Sequence, residues 1–329
     1  MSFRVLRLGV IGTADIAVRA VIPALKKSKK VEVRGVASRQ LEKARRCAKQ
    51  FGIPLFYGSY NELLESTDID AVYIPLPNKL HFEWTKQALL KGKHVMCEKP
   101  LALSSEEVVQ MIRISHEKKR LLMEAFMYRF HPRHEEVFKL IREGIIGEVR
   151  AIESAFSYVL DNPDSYLMSR DLGGGALYDV GCYCINVSRM VTGAEPIEVY
   201  GMINPSKTNV DLTFSGIIRF PSGVISQFHV SMDEEPRYYY RVIGDKGLIE
   251  VPWAFVSFGK TTHIILQKNE KQKTITFKGV DEYRLEFEHF TDAVLEGEPL
   301  RYNIEDSLRN TYVLEALFKS AQKGKLVKL

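Results

Sequence analysis

The sequence predicts an α/β domain with a doubly wound parallel sheet, followed by an α+β domain with a largely antiparallel sheet. Three observations carry this. From Val5 to Phe126 apolar runs alternate with helical periodicities, the pattern of parallel strands joined by crossover helices. Beyond Pro132 the later strand-like runs are separated only by turns such as PSG and DKG, which suits antiparallel pairing with one packed face. At 329 residues the chain is long for one domain and comfortable for two. The expected division is 1–126 and 127–329.

Composition narrows the function classes. A hydrophobic share of 45% and a charged share of 26% are ordinary globular values. The net charge of +5 is spread among interspersed acids and bases, so no nucleic-acid tail is expected. No window holds the roughly 18 apolar residues needed to span a membrane. Cys47, Cys97, Cys182 and Cys184 form no C-x-x-C pair, so reduced thiols and no metal site are expected. The start, MSFRVLRLGVIG, enters a strand directly with no secretory pattern. The expected location is cytoplasmic.

Taken in order, Val5 to Ile11 is a strand ending at Gly12, and TADIAVRAVIPALKK has helical spacing with a kink expected near Pro23. Strand, glycine turn and helix form the context of a dinucleotide fingerprint. Gly12, Ala14 and Ala17 meet the G-x-G-x-x-G template in part. The turn Gly12, Thr13, Ala14, Asp15 and Ile16 is therefore the candidate pyrophosphate cradle. The second strand, 31–37, ends in Ser38 and Arg39, with Lys43 one helical turn on. An NAD site usually presents a carboxylate here for the ribose 2′-hydroxyl. A hydroxyl and two cations instead suit a 2′-phosphate; the alternative is an exposed arginine at a helix start.

Further alternation follows: helices over 41–51, 59–65, 81–91 and from Ser104 to about His116, and strands over 55–57, 71–75, 94–97 and 121–126. Ser104 and Glu107 make a capping box. The loop PLPNKLH leaves a strand end on the ligand side, offering Leu76, Pro77 and Asn78 to a cofactor, with His81 a packing, capping or cofactor residue. The stretch GKHVMCEKPLAL is the centre of the pattern. Its strand stops on Glu98 and Lys99, where open parallel sheets bind ligands, and Pro100 stiffens the backbone.

A helix from Pro132 to Gly144 precedes the strand-like runs AIESAFSYV, TFSGIIRF, VISQFHVS and RYYYRVIG. One helix interrupts them. GGGALYDVGCYCINVSRMVTG places Asp179, Tyr183, Asn186 and Met190 on one face and Val180, Cys184, Val187 and Val191 on an adjacent core face. Its glycine run lets another backbone or a ligand approach. Helices over 283–296 and 304–323 close the chain. Aromatic and branched residues at both parities, among them Phe214, Ile217 and Phe220, predict a sheet with an apolar outer face.

GTADIA, CEKP and GGGALYDVGCY, with PLPNKLH, MYRFHP and DEYRLEFEHF, are similar to the glucose–fructose oxidoreductase/inositol dehydrogenase (Gfo/Idh/MocA) family over essentially the whole chain. The chain most resembles the branch of NADP-dependent D-xylose dehydrogenases and dimeric dihydrodiol dehydrogenases. Inositol dehydrogenases typically carry His where this chain has Tyr183, and many carry Asp where it has Asn186. The resemblance implies a Rossmann domain and an open-faced C-terminal sheet that mediates homodimers or homotetramers. It also implies Lys99 and Tyr183 as the catalytic pair, with Asp179 orienting substrate or holding Lys99 charged. A phenol is a poor base at neutral pH, and a neighbouring ammonium favours its anion. Glu98 would contact the cofactor ribose, and Arg170 and Tyr283 the cleft edge. The implied reaction is NADP-dependent hydride transfer to or from a sugar, polyol or related diol, with NAD the weaker cofactor. An NAD-dependent glycosidase of this fold with no net redox and a non-catalytic dinucleotide sensor are the alternatives; intact Lys99, Asp179 and Tyr183 favour an enzyme.

Overall fold

The computed structural model describes residues 4–205 and 209–329. The chain divides into two compact units. The first runs to Met127 and takes in Asp281–Leu308; the second comprises Tyr128–Val280 and Arg309–Leu329. The stretch 281–308, grouped by sequence with the C-terminal domain, thus belongs to the first unit.

In the first unit six strands pair in parallel: β1 (Leu6–Ile11), β2 (Val31–Ala37), β3 (Leu55–Tyr57), β4 (Ala71–Ile74), β5 (His94–Glu98) and β6 (Leu122–Ala125). Their order is β3-β2-β1-β4-β5-β6, a doubly wound sheet whose strand order reverses between β1 and β4. The strands are apolar on both faces because helices cover both; Val72, Ile74, Val95 and Cys97 lie in one core with Leu89, Val108 and Met111. The covering helices are α1 (Ile22–Leu25), α2 (Leu41–Phe51), α3 (Tyr60–Glu65), α4 (His81–Leu90) and α5 (Ser105–Lys118). Ser104 caps α5 by accepting from the Glu107 N–H at 3.2 Å, while Glu107 reaches back to the Leu103 N–H. The kink expected at Pro23 takes the form of a π-helical segment, Ala17–Val21, in which the Ile22 N–H bonds five residues back to Ala17. A widened turn accommodates a residue that lacks an N–H and clashes with a carbonyl four residues behind.

The second unit opens with α6 (Pro132–Arg142) and holds α7 (Cys182–Thr192) and a nine-stranded sheet. Its strands are β7 (Val149–Val159), β8 (Glu198–Pro205), β9 (Asp211–Arg219), β10 (Ile225–Ser231), β11 (Asp233–Gly244), β12 (Leu248–Pro252), β13 (Thr262–Lys268), β14 (Lys271–Phe277) and β15 (Val327–Lys328). The order is β14-β13-β12-β11-β7-β10-β9-β8-β15. Every pair is antiparallel except β7 with β10. One face is buried, with Phe214, Phe228, Val230 and Tyr240 inaccessible or nearly so. The other leaves Met202 62%, Ile217 48% and Ile225 48% exposed, set among Ser215, Arg219, Gln227 and His229. The outer face is therefore mixed rather than apolar throughout, and Phe214 and Phe220, part of the sequence argument, are buried. Of the closing helices, α8 (Glu282–Glu296) belongs to the first unit, and α9 (Ile304–Lys323) falls mostly in the second. Among the described residues no helix is long and apolar enough to cross a membrane.

The glycine run before α7 shows how this helix is held. It admits protein: a Cβ on Gly174 would collide with the Leu167 carbonyl, and one on Gly175 with the Asp211 carboxylate. Gly175 also has φ +113°, a conformation open to glycine. Asp211 Oδ2 accepts the Leu177 N–H at 2.6 Å, satisfying a donor at the helix entry that would otherwise be orphaned. Burial pushes the Asp211 carboxyl up to about 7, against backbone hydrogen bonds that pull it down. A raised carboxyl favours folding while protonated and loses that contribution as pH rises toward 7. Between pH 5 and pH 8 the wild type should lose on the order of 2 kcal/mol more stability than Asp211→Asn. Urea unfolding of both proteins at the two pH values checks this; parallel losses would exclude Asp211 as the source.

Candidate functional site

At the carboxyl ends of β1, β2 and β4 the first unit forms a cleft of about 560 Å³. Its lining includes Gly12, Thr13, Ala14, Ser38, Arg39, Lys43, Leu76 and Pro77, all named by the sequence, together with Gln40, Tyr60 and Pro75. Gly12 has φ +105°, and a Cβ there would lie 2.9 Å from Leu76 Cδ2, so the turn needs glycine both for its backbone and for space. The Gly12 N–H bonds the Ala37 carbonyl at 2.8 Å, tying the turn to the end of β2. The Ser38 hydroxyl accepts the Gln40 N–H at 3.3 Å, leaving its own proton to donate. Arg39 and Lys43 are exposed. Tyr60, which sequence reasoning did not single out, is raised by burial, and the Arg39 guanidinium at its hydroxyl opposes that rise. No carboxylate lines this cleft. Asp15 and Ile16 are outside the lining; Asp15 is exposed and faces Arg19 at 3.7 Å.

Deeper in the same unit, Asn78 begins a short 3-10 turn and is buried. His81 is inaccessible and sits between two loops, with Nε2 2.7 Å from the Leu76 carbonyl and Nδ1 2.8 Å from the Pro100 carbonyl. Burial pushes its imidazole down to about 4, against the two carbonyls. In the neutral ring one nitrogen donates. His81 therefore serves as a clip between the 76-loop and the end of β5, the packing alternative among those the sequence offers. Glu98 and Lys99 occupy the strand end and are half-buried. Glu98 Oε1 accepts the Tyr73 hydroxyl at 2.6 Å, and its other oxygen faces the Lys99 N–H at 3.3 Å. Tyr283, in the first turn of α8, is buried; the carboxylate of Glu98 raises its phenol and the Lys99 ammonium lowers it, with burial the larger cause of a net rise.

In the second unit, the segment Leu177–Gly181 is π-helical and runs into α7, with the Cys182 N–H bonded to the Leu177 carbonyl. It brings Asp179 against Tyr158, whose hydroxyl donates to Asp179 Oδ2 at 2.5 Å. Tyr183 packs among aromatic rings, 5.3 Å from Phe156, 5.5 Å from Phe255 and 5.7 Å from Tyr128 between centroids. Asn186, expected on the same face, is buried and accepts the Tyr128 hydroxyl at 2.6 Å. That amide is committed to internal packing. Arg170 is exposed, in a 3-10 turn ahead of the glycines. Tyr158 was not singled out from the sequence, although it lies in the stretch 157–171 expected to build the substrate pocket. Among the described residues no cluster of His, Cys, Asp and Glu could hold a metal ion.

Residues 6–126 match a family described as an oxidoreductase family with an NAD-binding Rossmann fold, and residues 134–250 match the GFO/IDH/MocA C-terminal domain. A D-xylose 1-dehydrogenase (NADP(+)) of Haloferax volcanii is 38% identical, over 98% of this chain and 99% of its own length. A trans-1,2-dihydrobenzene-1,2-diol dehydrogenase of Xenopus tropicalis is 31% identical, over 81% of this chain and 82% of its own. Among solved structures, a 3-ketoreductase from Actinomadura kijaniata in complex with NADP and TDP-benzene superposes with a TM-score of 0.92 at 32% identity, covering 96% of this chain and 98% of that one. With both domain matches and full-length relatives of this similarity, the chain belongs to the Gfo/Idh/MocA family of NAD(P)-binding oxidoreductases.

Proposed function

We propose that the chain is an NADP-dependent oxidoreductase that moves a hydride between a nicotinamide and a sugar, polyol or related diol. The first unit, built on residues 1–126, takes the dinucleotide; the second, within 127–329, takes the substrate and forms a homodimer or homotetramer. The observation that carries the cofactor choice is the cleft with two cations, a free hydroxyl proton and no carboxylate. Those residues fit NADP: backbone at Gly12, Thr13 and Ala14 for the pyrophosphate, and Ser38, Arg39 and Lys43 for the 2′-phosphate. Asn78 and Glu98 would face the nicotinamide half, with NAD the weaker ligand. The relatives named for NADP and for sugars support the same reading.

When bound, the nicotinamide supplies or accepts the hydride. The chain's own part is to bind, orient and move a proton. In this reading Tyr183 takes the substrate hydroxyl proton during oxidation and returns it during reduction. Lys99 favours the phenolate electrostatically. Asp179, held by Tyr158 at 2.5 Å, orients the substrate. The aromatic rings around Tyr183 limit water around the phenol, and a low-dielectric setting strengthens its response to a nearby charge.

Lys99→Met and Tyr183→Phe should each lower turnover by about 10² to 10⁴ while NADP binding persists. The Phe variant keeps the ring contacts, so folding should be intact. Steady-state rates with an aldose, polyol and trans-diol panel, beside NADP titrations by fluorescence, make the comparison.

Arg39→Ala should weaken NADP by roughly ten- to a hundred-fold and leave NAD nearly unchanged, the scale of one hydrogen bond to a charged group. Arg39→Asp should reverse the preference by adding repulsion. Paired dissociation constants for both cofactors are the readout, and equal weakening would assign Arg39 to adenine stacking instead.

Apolar residues on the outer face of the sheet should mediate self-association. Light scattering at micromolar concentration should report a dimer or tetramer, and Met202→Asp with Ile217→Asp should shift it to monomer.

A further inference from the structure

The motif DEYRLEFEHF is not absorbed by the site described above. In the structure its first turns place Glu282, Tyr283 and Glu286 in the first unit, all buried. Glu286 is 1% exposed, and its Oε1 has no hydrogen-bond partner. The charges acting on it are carboxyls: Glu98 at the end of β5 and Glu282 on its own helix. From β4 comes Tyr73, fully buried, whose hydroxyl donates to Glu98 at 2.6 Å; Tyr283 and Glu286 act on that same phenol. Of the cations near α8, Arg7 pairs with Asp70, Arg34 with Glu32 and Arg19 with Asp15, Lys27 and Lys30 face Asp281 and Asp292 at the cap and far end of the helix, and the Lys99 ammonium acts on Tyr283. Three carboxyls at one place, Glu282 and Glu286 buried and Glu98 half-buried, cannot all be ionised without strong repulsion. Burial and the two neighbouring acids push Glu286 well above the usual carboxylate range.

The sheet order gives this cluster a direction. Arg39 lies at the end of β2 and Gly12 at the end of β1, so a dinucleotide laid across them extends its nicotinamide half toward β4 and β5, where Tyr73 and Glu98 stand. The oxidised nicotinamide is a cation and the reduced one is neutral. We propose that Glu286 holds a proton in the free protein and gives it up when the oxidised dinucleotide binds, so that oxidised but not reduced cofactor is taken up with release of a proton. The step balances: the carboxyl O–H bond breaks, the proton leaves to solvent, and the new carboxylate offsets the incoming positive ring. This rests on the dinucleotide reading of the cleft. Its consequence is that a rise in pH tightens NADP⁺ alone, moving the bound pair toward the oxidised cofactor.

The test is proton release on mixing in weakly buffered solution with a pH-indicator dye, alongside binding measured by fluorescence. Wild type at pH 7 should release up to about one proton per NADP⁺ bound, and none with NADPH; Glu286→Gln should bind NADP⁺ without release. A second reading needs no variant. The wild-type dissociation constant for NADP⁺ should fall by up to about tenfold per pH unit below the carboxyl's titration, while that for NADPH stays flat. Binding of NADP⁺ without release, or equal release in Glu286→Gln, overturns the inference and leaves the cofactor reading standing. Failure of either dinucleotide to bind the wild type overturns both.

Discussion

Six strands hydrogen-bonded in one direction bring their carboxyl ends to a single edge, and the ligand chemistry of the first unit depends on that constraint. Gly12, Ser38 with Arg39, the Pro75–Pro77 loop and Glu98 with Lys99 are far apart in the chain. Each follows a different strand of the same sheet. Parallel pairing costs a crossover helix per strand, and those helices cover both faces. That edge is then a place where polar groups from separate strands converge without a helix over them. His81 shows how tightly it is tied, since one ring touches carbonyls from two of the loops that leave it.

The second unit holds its polar groups by a different means. Asn186, Asp179 and Asp211 are each satisfied by a partner distant in sequence: Tyr128, Tyr158 and the Leu177 N–H. Buried polar groups demand such partners, since an unmade hydrogen bond inside costs more than a made one contributes. The result is a helix whose entry is fixed from the side, by a carboxylate seated where a glycine has no side chain.

Local patterns carried most of the fold into the sequence. The bounds of β2, α2 and β3 agree with the sequence reading because each is set by its own periodicity and by nearby turn or cap residues. The glycine turn and the Ser38–Arg39 pair were legible for the same reason. What was not legible depends on contacts distant in the chain. Strands β12 to β14 are short, and β14 is rich in lysine with little burial. The parallel pairing of β7 with β10 follows from β10 inserting beside a strand some seventy residues earlier, which no alternation pattern encodes. Tyr60, Tyr158 and Asp211 acquire roles only through such long-range neighbours. Asn186 was placed by helical spacing on one face with Asp179 and Tyr183; what that spacing could not show is the Tyr128 hydroxyl, brought from another element, that satisfies its amide inside the unit.

Both helices that enter the candidate sites begin with a π-helical segment, Ala17–Val21 after the glycine turn and Leu177–Gly181 ahead of Tyr183. Such a segment is one residue more than a regular turn would hold. Loss of a single residue there would let either helix close into uninterrupted α-geometry with its backbone bonds intact. Because the wide turn already absorbs that residue, side chains on either side of it would keep nearly the same facing, whereas the same loss from a regular turn would rotate them by about 100°, since an α-helix has 3.6 residues per turn. These two short stretches therefore tolerate the loss of one residue better than the regular turns that follow them.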